Sequence, residues 1–456
     1  MSDDQRGQDV LKLIKASGHK KVKVAVADMD GVLRGKYIHI DKFQSAIKKG
    51  FGFCNVVLGW DAADVCYDNV EYAGWHTGYP DADVQLDPAT YRAIPWEDKT
   101  PFLLGDFVTK DGGPLPICPR NLVKKGIADL DALGFEAKMG VEYEWFNFAE
   151  DPDTVTEKNF HQMKPISPGM FGYSLIRASY RNPYFHALMD QLESFNIPLE
   201  GLHTETGPGV YEAAIACAPA LEAADRAVLM KTAIKEIAHR HGIVPTFMAR
   251  WNPDLPGSSG HIHQSLVKKD DQSPVFFDSN DPYSMSPVFK SYLAGILKLL
   301  PHLLPMFAPT INSYKRLVEG FWAPTRALWG HDNRTTALRV IPGSEKSTRL
   351  EVRVGGADIN PYLAIAACLT AGAYGIKQGL QLPMGPIKGN AYESKEGEAL
   401  SSTLEEAANT FKGSEVAREI LGDDFVDHFA NTRLWEWRQH KAAVTDWELK
   451  RYFEII

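Results

Sequence analysis

Residues 141–145 read Val141-Glu142-Tyr143-Glu144-Trp145, two carboxylates separated by a single tyrosine. A strand turns successive side chains to opposite faces, so Glu142 and Glu144 share a side. The same reading places His261 with His263 in His261-Ile262-His263, and Glu351 with Arg353 in Arg349-Leu350-Glu351-Val352-Arg353. A further acidic run, Glu205-Thr206-Gly207-Pro208-Gly209-Val210-Tyr211-Glu212, also reads as strand. Glu142, Glu144, Glu205, Glu212, His261 and Glu351 are the candidate metal ligands, and together they predict one wall of carboxylates, imidazoles and guanidiniums. So many carboxylates with so few nitrogen donors suit Mg²⁺ or Mn²⁺ better than Zn²⁺, and such ions commonly serve nucleotide phosphates. ATP is the first cofactor this pattern predicts.

The chain, at 456 residues, exceeds a usual single domain, so two domains with substantial cores are expected. A net charge of −9 leaves no basic footprint for nucleic acid. Cys54, Cys66, Cys118, Cys217 and Cys368 are scattered, without Cys-x-x-Cys spacing, and read as reduced thiols. The N-terminal stretch, Met1 to Gln8, is polar, and no later apolar run is long enough to span a bilayer. A cytoplasmic protein without membrane attachment is expected.

Along the chain, residues 21–38 read as strand, turn and strand around Asp30-Gly31, with a helix beginning near Asp41. Pro114, Pro116 and Pro119 interrupt regular structure, and Arg120 to Leu133 carries helical apolar spacing. The domain boundary is therefore expected there, giving domains 1–116 and 117–456. Downstream, strands bearing the acidic motifs alternate with helices, including a long apolar one at Tyr362 to Lys377 with Asn360 as N-cap and Pro361 at its first position. Ser402 to Ile456 reads as helical and polar-faced. Asp28-Met29-Asp30-Gly31 matches the Asp-x-Asp-Gly signature of haloacid-dehalogenase phosphatases, with Gly422-Asp423-Asp424 as a late acidic motif. A hairpin turn in which glycine supplies the positive φ accounts for it more simply, and a phosphatase leaves the six ligands unexplained.

Further motifs stand in one order along the chain: Gly257-Ser258-Ser259-Gly260-His261-Ile262-His263-Gln264-Ser265, Asn312-Ser313-Tyr314-Lys315-Arg316-Leu317-Val318, Ala323-Pro324, Asn333-Arg334-Thr335-Thr336-Ala337-Leu338-Arg339-Val340 and Asn360-Pro361-Tyr362-Leu363. With the acidic runs, they resemble the glutamine synthetase superfamily over almost the whole chain. The resemblance implies an α+β fold, an N-terminal β-grasp domain followed by a catalytic domain with a curved antiparallel sheet and flanking helices. It implies two or more Mg²⁺ or Mn²⁺ ions per site, one held by Glu144, Glu205 and Glu212 and another by Glu142, His261 and Glu351. Arg316 and Arg353 become clamps on the glutamate α-carboxylate, Gly257 a further glutamate contact, and Arg334 and Arg339 phosphate partners. His263, Ser265, Arg339, Lys346 and Arg349 fall on the ATP side. The family phosphorylates the glutamate γ-carboxylate and then lets a nitrogen nucleophile displace phosphate. Its sites form between subunits, which implies a homo-oligomer, a dodecamer of two hexameric rings.

The sequence departs from that family where the nucleophile binds. Glutamine-forming members carry Pro-Gly-Tyr-Glu-Ala-Pro, whose glutamate helps bind ammonium and accept its proton, whereas this chain reads Glu319-Gly320-Phe321-Trp322-Ala323-Pro324. A second ammonium-binding aspartate follows phenylalanine in the family, and Cys54 stands after Phe53 here. Replacing two anions by Trp322 and Cys54 removes attraction for a small cation and adds apolar area. The expected substrates are L-glutamate and a small primary alkylamine or arylamine, as in superfamily members that make γ-glutamylamides during amine catabolism. Ammonium and polyamines remain the alternatives. Glu319, where the family has proline, is the candidate base for the amine. Adenylylation of Tyr392 is not expected, since Glu393-Ser394-Lys395 departs from the family's modification segment.

Overall fold

The structure, a computed structural model, describes residues 3–456; Met1 and Ser2 of the polar N-terminal stretch lie outside the described residues. Lys21–Ala27 and Leu33–His39 form the expected hairpin, and the helix Ile40–Lys49 follows, burying Ile40, Phe43, Ala46 and Ile47. Phe51–Cys54, Asp81–Leu86, Arg92–Ile94 and Thr100–Val108 complete a six-stranded sheet. That sheet is mixed, because Lys21–Ala27 runs parallel to Thr100–Val108.

The Asp-x-Asp-Gly stretch is the hairpin's turn. Gly31 has φ +76°, and Asp28 Oδ1 accepts from the backbone N–H of Asp30 and Val32 at 3.0 and 2.9 Å. Asp28 Oδ2 is held by Arg34 at 2.8 Å and Asp30 by the buried Arg433 at 2.8 Å, so both carboxylates are committed to structure. The turn also abuts the second half of the molecule, where Asn360 Nδ2 donates to the carbonyls of Asp28 and Met29 at 3.3 and 3.1 Å.

A second, nine-stranded sheet curls over the later residues, built around the long strand Phe135–Phe148. Its neighbours are Gly260–Lys268 on one side and Val210–Ile215, then Leu199–Thr204, on the other. Beyond Gly260–Lys268 come Arg349–Val352, Leu338–Ile341 and Trp329–His331. The sheet is antiparallel with one correction to the expectation: Trp329–His331 runs parallel to Leu338–Ile341. Alternation is clean over the middle of the long strand, with Val141, Tyr143 and Trp145 buried on one face and Glu142 and Glu144 on the other. The buried face packs Tyr143 and Trp145 against Phe247, at ring separations of 6.0 and 5.8 Å.

The helices Pro119–Asp131, Ala220–Arg240, Pro287–Leu303 and Pro361–Lys377 form the core behind this sheet. Pro361–Lys377 is buried on nearly all sides, as its uniformly apolar sequence requires, and Asn360 caps it by accepting from Tyr362 N at 3.0 Å. It crosses Pro287–Leu303 at a glycine pair: a Cβ on Gly295 would lie 2.7 Å from the Gly375 Cα. The C-terminal segment is helical as expected, in Leu404–Lys412, Glu415–Leu421, Asp423–Ala442 and Asp446–Tyr452. Its end is less polar than expected, with Trp447, Leu449, Phe453, Ile455 and Ile456 exposed. Among the described residues no helix is long and apolar enough to cross a membrane.

Candidate active site

Strand register gathers the acidic motifs. Glu142 lies opposite His261, Glu144 opposite Glu212, His203 opposite Glu212, and His263 and Arg339 each opposite Glu351. Directly opposed residues share a face, so these side chains stand in adjacent rows on the concave side. They line a cavity of about 700 Å³ together with Tyr173, Glu205, Gly257, Phe321, Trp322, Arg334, Arg349 and Arg353. Glu205 departs from the strand expectation, since it follows the end of Leu199–Thr204 and enters the cavity from the loop.

Two groups of side chains could each hold a cation, Glu142 with His263 and Glu351, and His203 with Glu205 and Glu212. Within each, one ligand atom per residue lies within 4.8 Å of the others. His261 belongs to the first neighbourhood, its Nδ1 3.0 Å from Glu142 and 3.3 Å from Glu351, while its buried Nε2 has no hydrogen-bond partner. Glu144 borders the second, where its Oε2 accepts from Ser259 N at 2.8 Å. Burial and the neighbouring Glu212 push the Glu144 carboxyl up to about 8, and burial raises Glu212 as well. These acids lack enough positive charge around them, which fits a hard divalent cation. At the other end Glu351 is over-compensated: burial raises its pKa, but His261, Arg353 and His263 hold it down at about 2.

His203 and Tyr173 are site residues that the sequence analysis missed. Burial pulls His203 down, but its hydrogen bond to Glu212 at 3.1 Å, the charges of Glu212 and Glu205 and the Thr204 carbonyl together outweigh that and lift it to about 9. Tyr173 stacks on the imidazole with centroids 4.4 Å apart. The one sequence signal for His203 was its place two residues before Glu205, too weak by itself to mark it; Tyr173 is delivered by a loop remote in sequence and carries no motif.

The arginines divide. Arg353 donates to Glu351 at 2.5 Å and to the Arg334 carbonyl at 3.1 Å, and Arg339 bridges Glu351 and Asp332. Arg334 is exposed on the cavity, its side chain unpaired among the described residues. Arg316 does not line the cavity; it is buried beneath, spending its guanidinium on Val354 O, Arg353 O and Ser259 Oγ, and burial lowers it to about 10. Gly257 lines the cavity and must be glycine, since a Cβ there would stand 2.5 Å from Ala249 O and 2.8 Å from Arg316 Cγ. Ser265 and Lys346 line an adjoining pocket that shares Glu142, His263 and Arg349 with the main cavity. Trp322 is 60 % exposed on the cavity wall, while Glu319 is exposed outside the lining. Cys54 is half-buried in the first sheet, its thiol 3.5 Å from Tyr79 O, and does not reach this cavity.

Comparison with known proteins bears on this geometry. Residues 116–452 match the family described as glutamine synthetase, catalytic domain. The chain is 52 % identical to type-1 glutamine synthetase 2 of Dictyostelium discoideum, over 98 % of this chain and 86 % of that protein. It is 37 % identical to glutamate–isopropylamine ligase of a Pseudomonas species, over the whole of both chains. The solved GmaS–ADP complex superposes with a TM-score of 0.85 at 25 % identity, covering 98 % of this chain and 99 % of that one.

Proposed function

The chain belongs to the glutamine synthetase family, and from that premise we propose that it ligates the γ-carboxylate of L-glutamate to a small primary alkylamine or arylamine, in preference to ammonium. As an ATP-dependent carbon–nitrogen ligase it meets one chemical difficulty, that a carboxylate expels oxide only after activation. Phosphoryl transfer from ATP to the γ-carboxylate supplies phosphate as the leaving group. Divalent ions would be held by Glu142, His261, His263 and Glu351 and by Glu144, His203, Glu205 and Glu212, and would supply charge neutralisation for phosphoryl transfer there. Arg353, with Arg316 behind it, orients the glutamate α-carboxylate, and Arg334 and Arg339 face the phosphates. The nucleotide lies toward His263, Ser265, Lys346 and Arg349.

The observation that carries the amine reading is Trp322, largely exposed on the cavity beside Phe321 where the glutamine-forming pattern has a carboxylate. An indole gives ammonium a cation–π contact in place of a carboxylate's ion pair, whereas each methylene of a bound amine that it covers contributes about 0.8 kcal/mol more. The isopropylamine ligase among the relatives supports this reading. The Dictyostelium relative's name favours ammonium, which stands as the second reading. Glu319 is the candidate proton acceptor in the Trp322 loop, since an alkylammonium with a pKa of roughly 10.4 must lose a proton to attack.

The same reading includes a cytoplasmic ring oligomer, a dodecamer, with the domains divided at residue 116. The exposed apolar C-terminus supports burial against another copy, and Cys54, outside its own chain's cavity, suits a site completed by a neighbour's N-terminal sheet. The test is Trp322→Glu. The ratio of kcat/KM for ammonium over a small alkylamine should rise by about tenfold or more as a carboxylate returns. A ratio unchanged or moving the other way removes Trp322 from the nitrogen pocket.

A further inference from the structure

Trp322 keeps its place on the cavity wall in a backbone conformation that tryptophan disfavours. Gly320 has φ +82° and Trp322 φ +59°, both left-handed, and only the glycine adopts that region freely. Such strain persists where the surroundings over-determine it. On one side of the loop Ala323 and Pro324 are buried. On the other, Glu319, Gly320 and Phe321 make no hydrogen bond among the described residues, and Phe321 is held instead through its ring, whose centroid lies 4.4 Å from Arg250 Cζ. Phe321 lines the cavity together with Trp322.

Arg250 has no part in the proposed reaction, yet its guanidinium is firmly placed. Nη1 donates to the Lys315 carbonyl at 2.8 Å and Nη2 to the Pro253 carbonyl at 2.6 Å. Asn312 fixes the backbone behind it, accepting from Arg250 N at 2.8 Å and donating to Arg250 O at 2.7 Å. The next residue, Trp251, packs edge-on against Phe146 and Phe148 at ring separations of 5.4 and 4.8 Å, which ties the segment to the end of the long strand. Both side-chain acceptors are neutral carbonyls, and Arg250 forms no ion pair among the described residues. Its charge is therefore left for the ring of Phe321, and a guanidinium over an aromatic face is attracted by the ring's quadrupole.

We infer that Arg250 is a positioning residue for nitrogen specificity: its guanidinium holds the Phe321 ring as a second wall beside Trp322 and so keeps the 319–322 loop in its strained form. This rests on the proposal that Trp322 lines the nitrogen pocket. Arg250→Gln removes the cation and leaves a donor for the carbonyls, while Phe321→Leu removes the ring and leaves the Arg250 hydrogen bonds in place. Arg250→Gln should raise the KM for the best alkylamine about two- to fivefold, the span of one partly exposed cation–π contact, and Phe321→Leu at least as much, with the glutamate and ATP constants within twofold of wild type. Phe321→Tyr, which keeps the ring, should behave as wild type. The double variant should match Phe321→Leu alone, because without the ring Arg250 has nothing to hold. Should Arg250→Gln not fold, Arg250→Lys enters the same cycle, since an ammonium lacks the flat face that stacks, and the double variant should again match Phe321→Leu. An unchanged amine KM in the Arg250 variant, multiplied effects in the double variant, or equal rises in all three constants overturns the inference. A wild-type enzyme that works only with ammonium defeats the amine reading instead, and the cycle then runs on the ammonium KM with the same outcomes deciding the role of Arg250.

Discussion

Arg353 illustrates how much a single side chain's shape matters here. One branch of its guanidinium meets Glu351 and another the Arg334 carbonyl, an arrangement that requires a planar fork. Lysine keeps the charge but cannot hold both partners. Arg353→Lys should therefore raise the KM for glutamate by about tenfold and that for ATP much less; initial-rate measurements with each substrate varied will show it, and equal changes would assign Arg353 another task. Side chains like this were legible because strand periodicity and motif order fix their face. Arg316 was not fully legible: its motif marks it as a site residue, but neither its helix, Ile311–Arg316, nor the carbonyls that draw the guanidinium beneath the cavity floor could be read from it. His203 was missed because a lone histidine two residues before a glutamate reads as an ordinary strand residue until Glu212 is placed opposite it.

Among elements, the join between the first sheet and the helical layer is electrostatic at one point. Arg120, in Pro119–Asp131, is buried and paired with Asp106 and Asp225 at 2.8 Å and with Asp87 at 2.7 Å, so it links Thr100–Val108 to Ala220–Arg240. Arg120→Ala would strand these carboxylates and should cost about 3–5 kcal/mol in a urea unfolding series. A loss below about 1 kcal/mol would mean that water replaces the guanidinium. The apolar spacing of Arg120 to Leu133 announced this helix; nothing in it announced that its one arginine would be interior, because the partners come from three distant segments. The sheet's one parallel pair escaped notice for a similar reason, since strand direction depends on the connection between Trp329–His331 and Leu338–Ile341 and not on either strand's composition.

At the scale of the whole molecule, the Asp423–Ala442 helix returns to the N-terminal half, where His428 Nε2 meets Leu58 O at 2.9 Å. Burial, with Arg433 nearby, lowers His428 from 6.5 to about 4 despite that hydrogen bond. The unfolded chain therefore takes the proton first as pH falls. The stabilisation from keeping His428 neutral is complete above about pH 6.5 and is lost between there and pH 4, on the order of 3 kcal/mol. His428→Gln should flatten the fall in the urea midpoint between pH 7 and 5; an unaltered slope would place the titrating group elsewhere. Sequence motifs carried the fold and the wall of carboxylates and imidazoles, while the proposed nitrogen substrate hangs on one loop. The direct test is a competition assay in which the purified enzyme, with saturating glutamate, ATP and Mg²⁺, receives ammonium and a small alkylamine or aniline at equal concentration. The account predicts that γ-glutamylamide of the organic amine predominates over glutamine; glutamine formed at least as efficiently as any alkylamide or anilide would contradict it.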